Sequence, residues 1–173
     1  MRVRQLIVQP LPTVKPCAVS PSLTHEQVLA EMAVDFSSYV TRLVAEGRLT
    51  IPEGKALGAV TYHDSCHLKR TLHVTKEPRE LLAKAGFPVV EMDEADMCCG
   101  MGGSYSVKFP EISAPILGRK LSNVQKTGAG TVAMDCPGCL MQIRGGLDKA
   151  SSPIRVRHLA DLLAERIGDR TVP

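Results

Sequence analysis

Apolar residues recur along the chain with two different periods, and the alternation of these periods predicts an α/β fold. Short apolar runs with the length of buried strands lie at 59–64, 88–92, 131–135 and 154–158. Apolar residues three and four positions apart predict helices at 77–86, 110–128, 137–147 and 159–168. Pro115 predicts that its helix either starts there or bends. Strands alternating with helices predict a small, mainly parallel, four-stranded sheet flanked by helices.

The first part of the chain predicts an irregular segment followed by a connector helix. Residues 1–23 contain four prolines, which favours an irregular segment with RQLIVQ as a candidate short strand. Apolar residues at helical spacing follow over 24–46, where Thr24 and Gln27 form a candidate capping box and Gly47 a stop. We therefore predict three regions: an N-terminal segment (1–23), a connector helix (24–47) and an α/β domain (59–168).

Composition and charge narrow the classes of function. The chain has 173 residues, a formal net charge of +3, three Phe, three Tyr and no Trp. Interspersed charges and few aromatic rings argue against a nucleic-acid partner. No apolar run approaches the roughly 20 residues of a membrane span. The basic start of the chain is interrupted by Pro10 and Pro12 and does not resemble a signal peptide. We expect a cytoplasmic protein, whose thiols stay reduced.

Five of the six cysteines follow the predicted strands. They come after three successive strands, as Cys66, then Cys98 and Cys99, then Cys136 and Cys139. The sixth, Cys17, stands alone in the proline-rich segment. Because ligand sites in parallel sheets lie at the carboxyl edge, loops at this edge would bring five thiols together. Clustered thiolates repel one another unless a cation is present, so the sequence predicts a metal site.

The number of thiols bears on the kind of metal. Zinc usually takes four ligands, whereas five thiols are offered, which favours an iron–sulfur cluster of unusual geometry or a fifth cysteine beside the ligands. Zinc, disulfides and plain buried thiols remain alternatives. Cys136 is predicted at a helix N-cap and Cys139 in the first turn, where the positive helix end stabilises thiolates.

Several polar and small residues near the cysteines are candidates for supporting roles at the predicted metal site. Glycines after Cys99 would let the backbone approach an inorganic group and donate N–H bonds to sulfur, namely Gly100, Gly102 and Gly103. His67 is a candidate ligand, hydrogen-bond donor or proton relay, although a structural role is also open. Asp64 and Asp135 are interpreted as caps or loop anchors, and Lys120 as part of a solvated face. No residue is assigned a catalytic role.

Three motifs resemble, in order and spacing, the cysteine-rich CCG domain. They read YHDSCHLKR, CCGMGGSYSV and DCPGCLMQI. The resemblance covers 59–165 and is strongest to the iron–sulfur subunits of lactate-utilisation enzymes and glycolate oxidase; the cysteine-rich subunit of heterodisulfide reductase is a further relative. It implies a [4Fe–4S] cluster, non-cubane in the heterodisulfide reductase relatives. The implied ligands are Cys66, Cys98, Cys99, Cys136 and Cys139.

The resemblance also implies a place in an enzyme complex. We expect a non-catalytic electron-transfer subunit of a lactate or glycolate oxidoreductase. Its partners would be a flavin-containing dehydrogenase subunit and other iron–sulfur subunits, with any membrane association made through them at the inner face. The alternatives are disulfide reduction at a non-cubane cluster and a zinc-holding structural module. Because family members usually carry two such domains, we expect a shortened chain with the second one. Ser65 replaces the usual Pro, which would alter loop stiffness.

Overall fold

The chain divides into two compact units, Met1–Val34 and Asp35–Pro173. A computed structural model describes residues 24, 26–27, 29, 33–52 and 57–168. In the first unit, the Thr24 N–H donates to Gln27 Oε1 at 2.8 Å and the Gln27 N–H donates to Thr24 Oγ1 at 3.3 Å. These two bonds confirm the predicted capping box. The expected N-terminal segment, with RQLIVQ and Cys17, lies outside the described residues.

The second unit alternates strands and helices around a parallel sheet. Its elements are α1 (Phe36–Ala45), β1 (Val60–Tyr62), α2 (Glu77–Lys84), α3 (Tyr105–Lys108), α4 (Pro110–Lys126), β2 (Thr131–Met134), α5 (Pro137–Lys149), β3 (Arg155–His158) and α6 (Leu159–Gly168). A short π-helical segment, His67–Thr71, follows β1. The strand order is β1-β2-β3, and both pairings are parallel. The predicted α/β class is confirmed.

The prediction of four strands is corrected to three among the described residues. Residues 88–92 pair with β1 through a single parallel bridge between Val60 and Val89. The Val60 N–H donates to the Pro88 carbonyl and the Val90 N–H to the Val60 carbonyl, both at 2.9 Å. Because β1 is only three residues long, it offers little edge for a longer ladder. The segment is therefore extended, but it forms no strand.

The connector helix predicted over 24–46 does not run through 33–35, whose backbone is not helical. Asp35 is extended, with φ −71° and ψ 160°, and its carboxylate accepts the Ser38 N–H at 2.9 Å. An aspartate in this position satisfies a free N–H of the first turn and so starts a new helix. The helix ends as predicted at Gly47, which adopts a left-handed φ of 69°.

The helix α4 begins at Pro110, as predicted, and continues past Pro115, which lies inside it. It therefore does not start at Pro115, which was one of the two alternatives. Proline suits the first turn of a helix because its missing N–H would have no partner there. The short helix α3 and the π-helical segment were not predicted, since four or five residues are too few to show a helical period.

Two buried clusters cover the two faces of the sheet, because successive side chains of β2 point to opposite faces. Ala133 packs in a cluster with residues of α1, α2 and α6. Val132 and Met134 pack in a second cluster with residues of α4 and α5. This second cluster also contains Cys99 and Cys139. In the described part of the chain, no helix is long and apolar enough to cross a membrane.

Replacement of the α1 cap tests the start of this helix. We expect Asp35→Ala to lower the free energy of unfolding by about 1 kcal/mol, because the Ser38 N–H loses its acceptor. Asp35→Asn should retain most of the stability, since asparagine caps helices as well as aspartate. Urea unfolding under reducing conditions measures both effects. Ser38→Ala is the control, as it keeps the backbone donor; equal destabilisation by this variant and by Asp35→Ala would contradict the cap.

Candidate metal centre

Five free thiols are distributed over three connections of the second unit. Cys66 lies between β1 and the π-helical segment. Cys98 and Cys99 lie in an irregular loop just after the turn at 93–96. Cys136 is the extended N-cap of α5, and Cys139 lies in its first turn, as predicted. Cys99 and Cys139 are buried, while the other three are half-buried.

The thiols interact with one another in one continuous group. The Cys66 thiol interacts with Cys98 by a hydrogen bond. Cys99 shares a hydrogen bond with Cys139, which also interacts with Cys136. Cys98 and Cys99 also interact electrostatically, so pairwise interactions link all five thiols. That all five are ligands of one metal group stays a prediction.

The two buried thiols shift each other's pKa in opposite directions. The hydrogen bond with Cys139 lowers the pKa of Cys99, and His63 and the Met101 N–H act in the same direction. The same bond raises the pKa of Cys139, and burial raises it further. A second thiolate beside the first is disfavoured because like charges repel in a site with little water. A nearby cation would therefore favour further ionisation of this group.

Two opposing effects act on the pKa of the Cys98 thiol. Burial raises the pKa of the Cys98 thiol. The Gly100 N–H, which points at Cys98 Sγ from 3.3 Å, opposes this effect. Gly100 has a left-handed φ of 85°, which glycine adopts without strain. The predicted role of Gly100 as a donor toward sulfur agrees with this contact.

A histidine that was not selected from the sequence lies in the buried part of the group. One ring nitrogen of His63 and the sulfur atoms of Cys99 and Cys139 all lie within 4.8 Å of one another. His63 is completely buried. Its Nδ1 lies 3.1 Å from the Ala95 carbonyl oxygen. Its Nε2 is buried, and the ring also interacts with Cys99.

His67, the histidine that the sequence favoured, has an exposed side chain at the start of the π-helical segment. It does not belong to the buried group. Gly102 and Gly103 are also exposed and have left-handed φ angles of 48° and 60°. They shape the turn before α3. A direct role of these three residues toward a cofactor stays a prediction.

The helix α4 supports the loop that carries Cys98 and Cys99. Ser113 Oγ donates to the Gly100 carbonyl at 2.8 Å, and Gln142 Nε2 of α5 donates to Ser113 Oγ at 3.1 Å. These bonds tie the cysteine loop to both helices on that face of the sheet.

Lys120, on the same helix, is fully buried. Its Nζ donates to the Glu94 carbonyl at 2.6 Å and to the Ala95 carbonyl at 3.2 Å. Burial lowers the pKa of Lys120, and nearby anionic groups, Cys99 among them, oppose that shift. Its interpretation as part of a solvated face is therefore wrong. The helical period did indicate that Lys120 is buried, because position 120 lies four residues from both Ile116 and Val124 on the apolar face.

An ion pair fixes the start of the loop that carries Cys66. Both Asp64 carboxylate oxygens accept from the Arg79 guanidinium, at 2.8 and 3.0 Å. Asp64 is only 4% exposed. Arg79 also donates to Glu91 and lies over the Tyr62 ring, 5.2 Å from its centroid. Asp64 is thus a loop anchor, as interpreted from the sequence.

The residues present fit a thiophilic metal group. The donors are five sulfur atoms and one imidazole nitrogen, and soft or borderline metals prefer such ligands. One ring nitrogen of His63 lies with the sulfur atoms of Cys99 and Cys139, which adds a nitrogen donor to the thiols. The thiols also interact with one another and with this histidine.

Residues 60–144 match the model of a family described as a cysteine-rich domain, CCG. Among curated proteins, a probable glycolate oxidase iron-sulfur subunit from Bacillus subtilis (strain 168) is 43% identical over 115 residues, which cover 65% of this chain and 26% of that protein. A lactate utilization protein A from Bacillus pumilus (strain SAFR-032) is 32% identical over 145 residues, 83% of this chain and 59% of that protein. A lactate utilization protein A from Halalkalibacterium halodurans is 41% identical over 105 residues, 60% of this chain and 43% of that protein.

The chain spans only part of these relatives. It matches about a quarter of the glycolate oxidase subunit and 43% to 59% of the two lactate utilization proteins. The matched region contains all five clustered cysteines.

Substitution of Gly100 tests the support of the cysteine loop. In Gly100→Ala the new Cβ would lie 2.8 Å from the Ser113 carbonyl oxygen, and φ is left-handed. We expect a loss of about 1–3 kcal/mol in the free energy of unfolding. Urea unfolding of the reduced, metal-free chain measures it.

Gly118→Ala is the matched control. Gly118 lies within α4, and a Cβ there meets nothing within 4 Å. Alanine should stabilise the helix by about 0.5–1 kcal/mol at this position. A Gly100→Ala protein as stable as the wild type would show that the loop tolerates a side chain there.

Proposed function

We propose that this chain, which belongs to the cysteine-rich CCG domain family through residues 60–144, binds an iron–sulfur cluster and transfers electrons within a 2-hydroxy-acid oxidoreductase. The observation that carries the proposal is the continuous group of five thiols from three connections. A dithiol enzyme needs two thiols and a structural zinc site usually four ligands. Cysteine thiolates are the usual ligands of iron–sulfur clusters.

In this proposal the clustered cysteines hold a [4Fe–4S] cluster, which we propose to be non-cubane because more than four thiols are offered. The ligands would be Cys66, Cys98, Cys99, Cys136 and Cys139. A bound cluster supplies one-electron chemistry at the edge of the sheet. The chain contributes N–H groups near the sulfur atoms, from Gly100 and Met101, and an apolar cluster behind Cys99 and Cys139 that excludes water.

The substrate and the partners follow from the relatives. Their names refer to lactate utilization and to glycolate oxidase, so we propose that the complex oxidises lactate or glycolate. The sequence shows no nucleotide-binding loop, and we assign the oxidation to a flavin-containing dehydrogenase subunit that passes electrons to this and other iron–sulfur subunits. Reduced, unpaired thiols suit the cytoplasm, and we place the complex there, at the inner membrane face through its partners.

One observation favours zinc as a second candidate. His63, Cys99 and Cys139 present three ligand atoms within 4.8 Å of one another, and Cys136 interacts with Cys139. Three thiolates with one histidine form a common tetrahedral zinc site. In that case the domain would be a structural module, and Cys66 and Cys98 would have no ligand role.

Metal and sulfide analysis of anaerobically purified full-length chain tests the proposal. We expect a brown protein that contains iron and acid-labile sulfide. Cys99→Ser and Cys139→Ser should each lose most of the iron, because these buried sulfurs have no replacement nearby. Cys66→Ser and Cys98→Ser should also lose iron if all five thiols are ligands.

Cys17→Ser is the matched control for these variants, since Cys17 is outside the motif and should not affect the metal content. Colourless protein with one zinc and no sulfide would replace the proposed function with the structural one. Retention of zinc by Cys66→Ser and Cys98→Ser would then complete that assignment.

A further inference from the structure

We infer that His63 is a nitrogen ligand of the metal centre, bound through Nε2. The inference rests on the proposed function, because it takes the thiol group to be a metal site. It adds a ligand that the cysteine motif does not contain. His63 precedes Cys66 by three residues and lies directly after β1.

Hydrogen bonds with backbone carbonyls fix the position of His63. The His63 N–H donates to the Ala133 carbonyl at 2.9 Å, which extends the hydrogen bonding of β1 with β2. The ring Nδ1 faces the Ala95 carbonyl at 3.1 Å. That carbonyl also accepts from the Asp64 N–H at 3.1 Å and from Lys120 Nζ at 3.2 Å. The acceptor is thus held in place from three sides.

These contacts decide which nitrogen can bind a metal. A carbonyl oxygen only accepts, so Nδ1 must carry the hydrogen of the neutral ring. The lone pair of the neutral imidazole is therefore on Nε2. A carbonyl acceptor for the second ring nitrogen is a recurring feature of metal-bound histidines, because it fixes the tautomer and the ring orientation.

A purely structural histidine accounts less well for the surroundings. A histidine that only supports the core would bond backbone or core groups. Here Nδ1 faces a backbone carbonyl, but the ring also interacts with the Cys99 thiol. Two buried sulfur atoms lie within 4.8 Å of a ring nitrogen. A metal bound between them would take the Nε2 lone pair in place of the interaction with Cys99.

Histidine ligation has a consequence for electron transfer. Replacing a thiolate ligand with neutral imidazole reduces the negative charge around the iron and raises the reduction potential, as in histidine-ligated [2Fe–2S] centres. The centre would then be easier to reduce than an all-cysteine centre of the same kind.

Pulsed electron paramagnetic resonance of the full chain tests the assignment. The protein is labelled with ¹⁵N-histidine, purified anaerobically and reduced. We expect a hyperfine coupling of the size typical of directly bound nitrogen. The coupling should vanish in His63→Ala and persist in His67→Ala, in which the neighbouring exposed histidine is removed. His63→Cys should lower the midpoint potential, while His67→Ala should leave it unchanged.

Several outcomes would overturn the inference. They are a cluster-loaded wild type with only weak couplings, a coupling that survives in His63→Ala, and a coupling lost in His67→Ala alone. If His63→Ala fails to fold, the wild-type spectrum alone still tests whether a histidine is a ligand. Protein without iron and sulfide would contradict the proposed function instead. Zinc titration of the metal-free chain then tests His63 separately, since His63→Ala should bind zinc at least tenfold more weakly and equal affinity would overturn the ligand role.

Discussion

The structure depends on holding several cysteine sulfurs together in a region with little water. Thiolates repel one another, and burial disfavours each charge. In this chain the conflict is visible in Cys99 and Cys139, where a shared hydrogen bond lowers one pKa and raises the other. A polypeptide can keep such a group together only if the surrounding backbone is fixed, and much of the second unit serves that purpose.

The fixing contacts come from elements remote in sequence. The helix α4 sends Ser113 to the carbonyl of Gly100 and Lys120 to the carbonyls of residues 94 and 95. The Arg79 side chain of α2 holds Asp64 at the start of the Cys66 loop. Buried lysine and buried aspartate are costly to desolvate. Both are paired here, Asp64 with Arg79 and Lys120 with two backbone carbonyls, which offsets part of that cost.

The match covers only part of each relative, which limits the functions that can be assigned to this chain. The chain contains the five cysteines of the motif but matches only 26% to 59% of the length of the relatives compared. A site for metal can be argued from the chain's own residues, because all the donors lie within 63–139. The substrate and the partners depend on the rest of such a complex. For that reason the chemistry assigned to this chain is confined to binding and electron transfer.

The sequence by itself determined the alternation of strands and helices and the succession of cysteines after three extended segments. Both depend on local properties, namely the period of apolar residues and the fixed direction of parallel strands. Tertiary structure decided the rest. The backbone N–H of His63 continues the hydrogen bonding of β1 with β2 through Ala133, and His63 is buried. His67, at the start of the π-helical segment, is exposed. Lys120 is buried because α4 packs against the loop at 94–95. The fourth strand is reduced to one bridge because β1 ends after three residues. Such outcomes depend on which surfaces meet, and no local period encodes that.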